Sequence, residues 1–190
     1  MLPIEKKEEE KWNAITHSIA VGYSLFSLYF FIGIPIKVYS IFLVIVFSLS
    51  TLYHIEENIG KKDFFRMLDM ASIHLLIPAT AASYTLLSKD NYVWPFIVIG
   101  ICFSSYVILF YKTPLLSDTM VKSCILSGSI STAILILTFP TLKILLIFIA
   151  GALTYVCGIY FYMNDKKKWF HTIWHIFVII GSIVHISGLI

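Results

Sequence analysis

His54, His171 and His175, with Asp69 and Ser50, have the types and spacing for metal-assisted chemistry. On a helix, His171 and His175 project from one face, being four residues apart, and Ser50 stands in the same relation to His54. Three imidazoles, two of them at i and i+4, with a carboxylate nearby, are the ingredients of a catalytic zinc site that keeps one coordination position open. Neutral imidazole carries no charge into an apolar setting, and the metal satisfies its lone pair. Zinc lowers the pKa of a bound water to about 7, which supplies hydroxide at ordinary pH. Asp69 then orients that water or takes its proton, with Ser50 as a supporting donor or acceptor. A plainer reading stands beside this one, because histidines in apolar helices also serve as interhelical hydrogen-bonding groups.

The elements that must position these residues are membrane helices. Of the 190 residues 58% are hydrophobic and 13% charged, more apolar side chain than a soluble domain of this size can bury, so lipid must cover the rest. A hydrocarbon core of ~30 Å needs about 20 largely apolar residues per crossing. Seven runs qualify, at 14–36, 38–54, 67–87, 92–111, 120–139, 142–163 and 169–190. The predicted fold is therefore all-α, an integral membrane bundle of seven transmembrane helices. The intervals are short, which makes residues 1–190 a single membrane domain. The first run is longer than the ~7–15 apolar residues of a signal peptide and follows an acidic as well as basic leader, so it is expected to stay in the mature chain.

The net charge of +3 is read through its placement, which points to membrane orientation and not to nucleic acid. With the N-terminus in the cytoplasm, eleven of the fourteen basic residues fall on that side: Lys6, Lys7, Lys11, Lys61, Lys62, Arg66, Lys112, Lys122, Lys166, Lys167 and Lys168. Lys37, Lys89 and Lys143 fall outside, one in each external turn. That bias is what the positive-inside rule predicts, and it requires an odd number of crossings with the C-terminus external.

All six histidines lie in these runs or at their edges, and Asp69 is the carboxylate inside one. Ionisable groups at membrane depth are costly and mark functional sites. By the orientation above, the second run ends at His54 near the cytoplasmic face. The third starts from that face with Asp69 in its first turn, and the seventh starts there with His171 and His175. Asn13 and His17 open the first run on the same side. His185 is ten residues past His175, ~15 Å along the axis, too far to share a metal. His74 is turned about 140° from Asp69 at ~100° per residue. Both are expected to make interhelical hydrogen bonds. Gly151, Gly158 and Gly181 read as close-packing positions, and Pro78 and Pro95 as kinks or helix ends. Cys102, Cys124 and Cys157 lack any C-x-x-C spacing and read as small packing residues.

The chain resembles the haemolysin III-like family, bacterial relatives of the progestin and adipoQ receptors, which include the adiponectin receptors. The resemblance rests on Glu10-Lys11-Trp12-Asn13 with Thr16-His17, on Ser50-Thr51-Leu52-Tyr53-His54, and on Leu68-Asp69. It continues in Gly151, Tyr155, Gly158, Phe161 and Tyr162, and then in His171-Thr172-Ile173-Trp174-His175 with Phe177, Gly181, Ser182 and His185. It implies a seven-helix bundle with the N-terminus inside, located as a multi-pass protein of the bacterial inner membrane. It also implies zinc held by His54, His171 and His175, with Asp69 and Ser50 beside the metal and its water. In the third helix the chain departs from the family pattern, reading Asp69-Met70-Ala71-Ser72, then His74 and Pro78-Ala79. The metal position is kept, and the lining of the cavity is changed.

Because the wider superfamily includes ceramidases, the resemblance implies a zinc-dependent intramembrane hydrolase of a lipid amide or ester, with membrane lipid as substrate. Two other classes stand beside it. One is a non-enzymatic, receptor-like regulator of the membrane in which zinc staples helices together. The other is a haemolytic pore-former, disfavoured because no amphipathic insertion helix is evident. The sequence identifies no protein partner.

Overall fold

The computed structural model describes residues 4–88, 92–138 and 141–190. Lys89, expected in an external turn, and Phe139, expected to end the fifth run, lie outside the described residues. Among the described residues there are seven helices and no strand: α1 (Ile4–Phe30), α2 (Ile34–Ile55), α3 (Ile59–Thr85), α4 (Trp94–Phe110), α5 (Pro114–Thr138), α6 (Leu142–Met163) and α7 (Phe170–Leu189).

The expected helices are all present, but their ends differ where polar sequence continues a helix or local chemistry breaks one. The first run, expected at 14–36, is cut at Phe30. Gly33 takes φ 145°, open to glycine and hostile to other residues, and Pro35 sits in the first turn of α2, where its missing N–H costs nothing. At its other end α1 extends back through the charged leader to Ile4, and α3 begins at Ile59 instead of 67, capped by Asn58, whose Oδ1 accepts from the Lys61 N–H at 3.1 Å. Apolar runs report how much helix lipid must cover, not where hydrogen bonding stops. Pro95 opens α4, while Pro78 lies inside α3, where Gly100 of α4 packs on its ring.

Three-residue connections turn α1 back onto α2 and α2 back onto α3. The third helix is central, packed against α2, α4, α5 and α7, and α7 in turn packs against α6, α1 and α2. Because α3 is enclosed by neighbours, it accommodates a run of small and polar side chains, Ala79 through Thr85, all buried. Thr80, Ser83 and Thr85 each donate to the carbonyl four residues back, and Tyr84 donates across to the His185 carbonyl of α7 at 2.9 Å. Large apolar residues face outward instead, Ile32 at 98% and Leu137 at 86% exposed. Polar inside and apolar outside is the reverse of a water-soluble domain and suits a lipid solvent. Helices α2, α6, α7 and the segment Thr119–Thr138 are long and apolar enough to cross a membrane, and Trp94–Phe110 is a shorter apolar helix.

The glycine expectation is met by contact. A Cβ on Gly151 would meet the His185 ring at 2.6–2.7 Å, on Gly158 the Trp174 ring and Phe177 Cβ at 2.8 Å, and on Gly181 the Tyr155 ring at 2.8 Å. These approaches set the separation of α6 from α7. The three cysteines are free thiols, but only Cys124 is partly enclosed; Cys102 and Cys157 are exposed on the outer face, so the packing role expected of them does not hold.

Candidate metal centre

The last turn of α2 carries His54, and the first two turns of α7 carry His171 and His175. Trp169, in the left-handed region at φ 68°, turns the chain abruptly so that α7 starts at Phe170 and His171 falls in its first turn. Because α2, α3 and α7 are mutual neighbours, the three imidazoles converge: one ring nitrogen from each lies within 4.8 Å of the other two. The ring centroids are 5.3 Å apart for His54 and His171, 5.0 Å for His54 and His175, and 4.8 Å for His171 and His175. His54 and His175 are buried and His171 is half-buried. Nitrogens bound to tetrahedral zinc at 2.0–2.1 Å stand ~3.4 Å apart, a separation that small side-chain rotations reach from here.

The donor set fits a metal on a second ground. His54 Nε2 is buried with no hydrogen-bond partner among the described residues. A buried polar atom left bare costs about 1–3 kcal/mol, and an ion is what such an atom would coordinate. Asp69 does not belong to the group of three nitrogens. Its carboxyl has the Ser50 hydroxyl as hydrogen-bond partner, and Ser50 is buried on α2, one turn before His54. The α3 carboxylate is thereby tied to the face of α2 that presents His54.

The first helix contributes residues to which the sequence reading gave no role. Glu10 Oε2 lies 3.1 Å from His54 Nδ1 and 2.7 Å from Lys62 Nζ. Lys62 also donates to the carbonyls of Tyr53 at 3.0 Å and Glu56 at 3.4 Å, which closes the C-terminal end of α2. The Glu10 carboxylate is thus shared between the His54 ring and the Lys62 ammonium. Thr16 Oγ1 lies 3.3 Å from His175 Nδ1, Thr172 donates to Asn13 Oδ1, and the His17 ring stacks on His175. Glu10, Asn13 and His17 recur at spacings of three and four, so one stripe of α1 faces the site. That periodicity is the signal in the sequence that would have revealed it.

The two other histidines behave differently from each other. His74 makes the interhelical bond expected of it, Nε2 to the Ser123 hydroxyl of α5 at 2.8 Å, with Nδ1 on its own helix at Met70 O. His185 does not. It lies in a cage of Tyr39, Tyr84, Phe148 and Tyr155, and its Nδ1 has no hydrogen-bond partner among the described residues. Gly151 leaves room for the ring, and the bond expected there is replaced by aromatic packing.

Comparison with known proteins identifies relatives over most of the chain. The chain is 27% identical over 194 residues to "Hemolysin-3" of Bacillus cereus, covering 92% of this chain and 87% of the relative. It is 28% identical over 197 residues to "Hemolysin-3 homolog" of Bacillus subtilis (strain 168), covering 92% and 90%. No solved structure matches the chain at a significant level. The family described as "Haemolysin-III related" matches residues 5–186, nearly the whole helical bundle, and the chain therefore belongs to that family of membrane proteins.

Proposed function

We propose that this chain is a zinc-binding, multi-pass protein of the cell membrane that hydrolyses an amide or ester bond of a membrane lipid. All seven helices cross the bilayer in this reading, with the N-terminus cytoplasmic and the C-terminus external. Two features support seven crossings over four. Besides the charged residues at their starts, the lower hydropathy of α1 and α3 comes from residues the bundle buries, Asn13, His17, Ser24 and Ser27 on one and Ser72, His74, Thr80 and Ser83 on the other. Basic residues also cluster at alternate connections, Lys61 and Lys62 after α2, Lys112 after α4 and Lys166 to Lys168 after α6.

The observation that carries the metal reading is the convergence of three histidine nitrogens within 4.8 Å at the inner ends of α2 and α7. His54, His171 and His175 hold the ion. When bound, zinc supplies a Lewis acid for the scissile carbonyl and brings water into its reactive range near neutral pH. Ser50 orients the Asp69 carboxyl. Asp69 accepts the proton that the attacking water gives up as its oxygen bonds to the carbonyl carbon, and delivers it to the nitrogen or oxygen that leaves. Purified protein should release fatty acid from a lipid amide or ester, and release should stop on chelation and in His171→Ala. Turnover indifferent to both treatments would overturn the hydrolase.

One observation favours the receptor-like alternative with a structural metal: His17 covers one face of His175, and Phe47 closes in edge-on against His17, so that side of the site is walled. Zinc-dependent stability without any lipid turnover would select it. The name of the relatives raises haemolysis as a third reading, which dose-dependent lysis by purified protein without lipid hydrolysis would select.

A further inference from the structure

We propose that α1 fixes the tautomers of two of the metal ligands, with Glu10 setting His54 and Thr16 setting His175, so that both present Nε2 to the ion. The inference rests on the metal reading above and extends it to the groups that aim the ligands.

The hydrogen-bond directions carry the argument. An imidazole has one protonated and one bare nitrogen, and the partner of the first decides which nitrogen is left for a metal. Glu10 Oε2 already accepts from Lys62 Nζ at 2.7 Å, so it is an acceptor towards His54 as well, and His54 Nδ1 at 3.1 Å must donate. The lone pair then falls on Nε2, the atom that is buried without a partner. At His175, the Thr16 hydroxyl spends its proton on the Asn13 carbonyl at 2.9 Å. Its oxygen can therefore only accept from His175 Nδ1, 3.3 Å away, where the ring also has the Asn13 backbone as partner, and Nε2 is again the bare nitrogen. Two ligands on different helices, 121 positions apart in the chain, are set the same way by two residues of a third helix, less than two turns apart. Partners that fix ring orientation and raise ligand basicity are worth 10–100-fold in metal affinity.

Lys62 explains how an acidic group persists at the apolar end of the bundle. It neutralises Glu10 while bonding to the Tyr53 and Glu56 carbonyls at the end of α2, so the α3 lysine that holds Glu10 is anchored to the end of the helix whose histidine Glu10 orients. Glu10 and Thr16 are thus positioning residues, not ligands, and their loss should alter the metal without emptying the site at saturation.

The test uses the purified full chain, titrated with zinc against a competing chelator and with cobalt(II) followed by its d–d absorption. Glu10→Gln and Thr16→Val should each weaken zinc binding by about 10–100-fold, retain one ion per chain at saturation, and shift the cobalt bands. Thr16→Ser, which keeps the hydroxyl, should restore both readings. If Glu10→Gln fails to fold, Thr16→Val and Thr16→Ser decide through the other ligand. Wild-type affinity and spectrum in both Glu10→Gln and Thr16→Val would overturn the proposal while leaving the metal site standing. A wild-type chain that binds neither metal would overturn both.

Discussion

The rings of His17 and His175 lie face to face, centroids 3.6 Å apart and 10° from parallel. Both nitrogens of His17 are buried without hydrogen-bond partners among the described residues, so its contribution here is the face of the ring. A phenyl ring supplies that face without two bare polar atoms. His17→Phe should therefore keep its zinc and unfold in detergent at the same or a higher temperature, whereas His17→Ala should lose about 2–3 kcal/mol through the cavity it leaves. Loss of zinc in His17→Phe would show that the nitrogens take part directly.

The spacing of α6 and α7 offers a second check. Gly158 has no room for a methyl group: Phe177 Cβ, fixed to its backbone, and the Trp174 ring both stand 2.8 Å from where it would go. Gly158→Ala should cost about 1–3 kcal/mol of overpacking strain and, by displacing the helix that carries His171 and His175, weaken zinc binding. Gly22→Ala is the control, since a methyl group there would meet nothing within 4 Å. It should be neutral or slightly stabilising, because a helical glycine costs roughly 0.5–1 kcal/mol relative to alanine. Equal effects at the two positions, measured by thermal unfolding, would contradict this account of the packing.

His74 separates structural from metal-binding histidines. Its bond to Ser123 joins α3 to α5, away from the three converging imidazoles. His74→Ala should lower stability, with the interhelical bond itself worth about 0.6–2 kcal/mol in a membrane protein, and should leave zinc stoichiometry at the wild-type value. Zinc missing from folded His74→Ala would place His74 in the site.

Much of the candidate centre was legible in the sequence, because its parts obey one-dimensional rules. His171 and His175 share a helical face through their spacing, and the charge pattern predicts His54 and Asp69 at one depth. His54 and Glu10, by contrast, are 44 residues apart, and Thr16 and His175 are 159 apart. Those pairings depend on how α1 rotates against α2 and α7, which no local pattern specifies. The cut at Gly33 was available in the Gly-Ile-Pro sequence but masked by the apolar residues on both sides. His185 looked like another hydrogen-bonding group because residue type alone does not reveal a cage assembled from three other helices, α2, α3 and α6.

The convergence of His54, His171 and His175 on one ion is tested most directly by elemental analysis of purified protein. Wild type should carry one zinc per chain, and His54→Ala and His175→Ala, removing a ligand from α2 and from α7, should each carry none while remaining folded. Stoichiometric zinc retained in both variants, or absent from the wild type, would contradict the account.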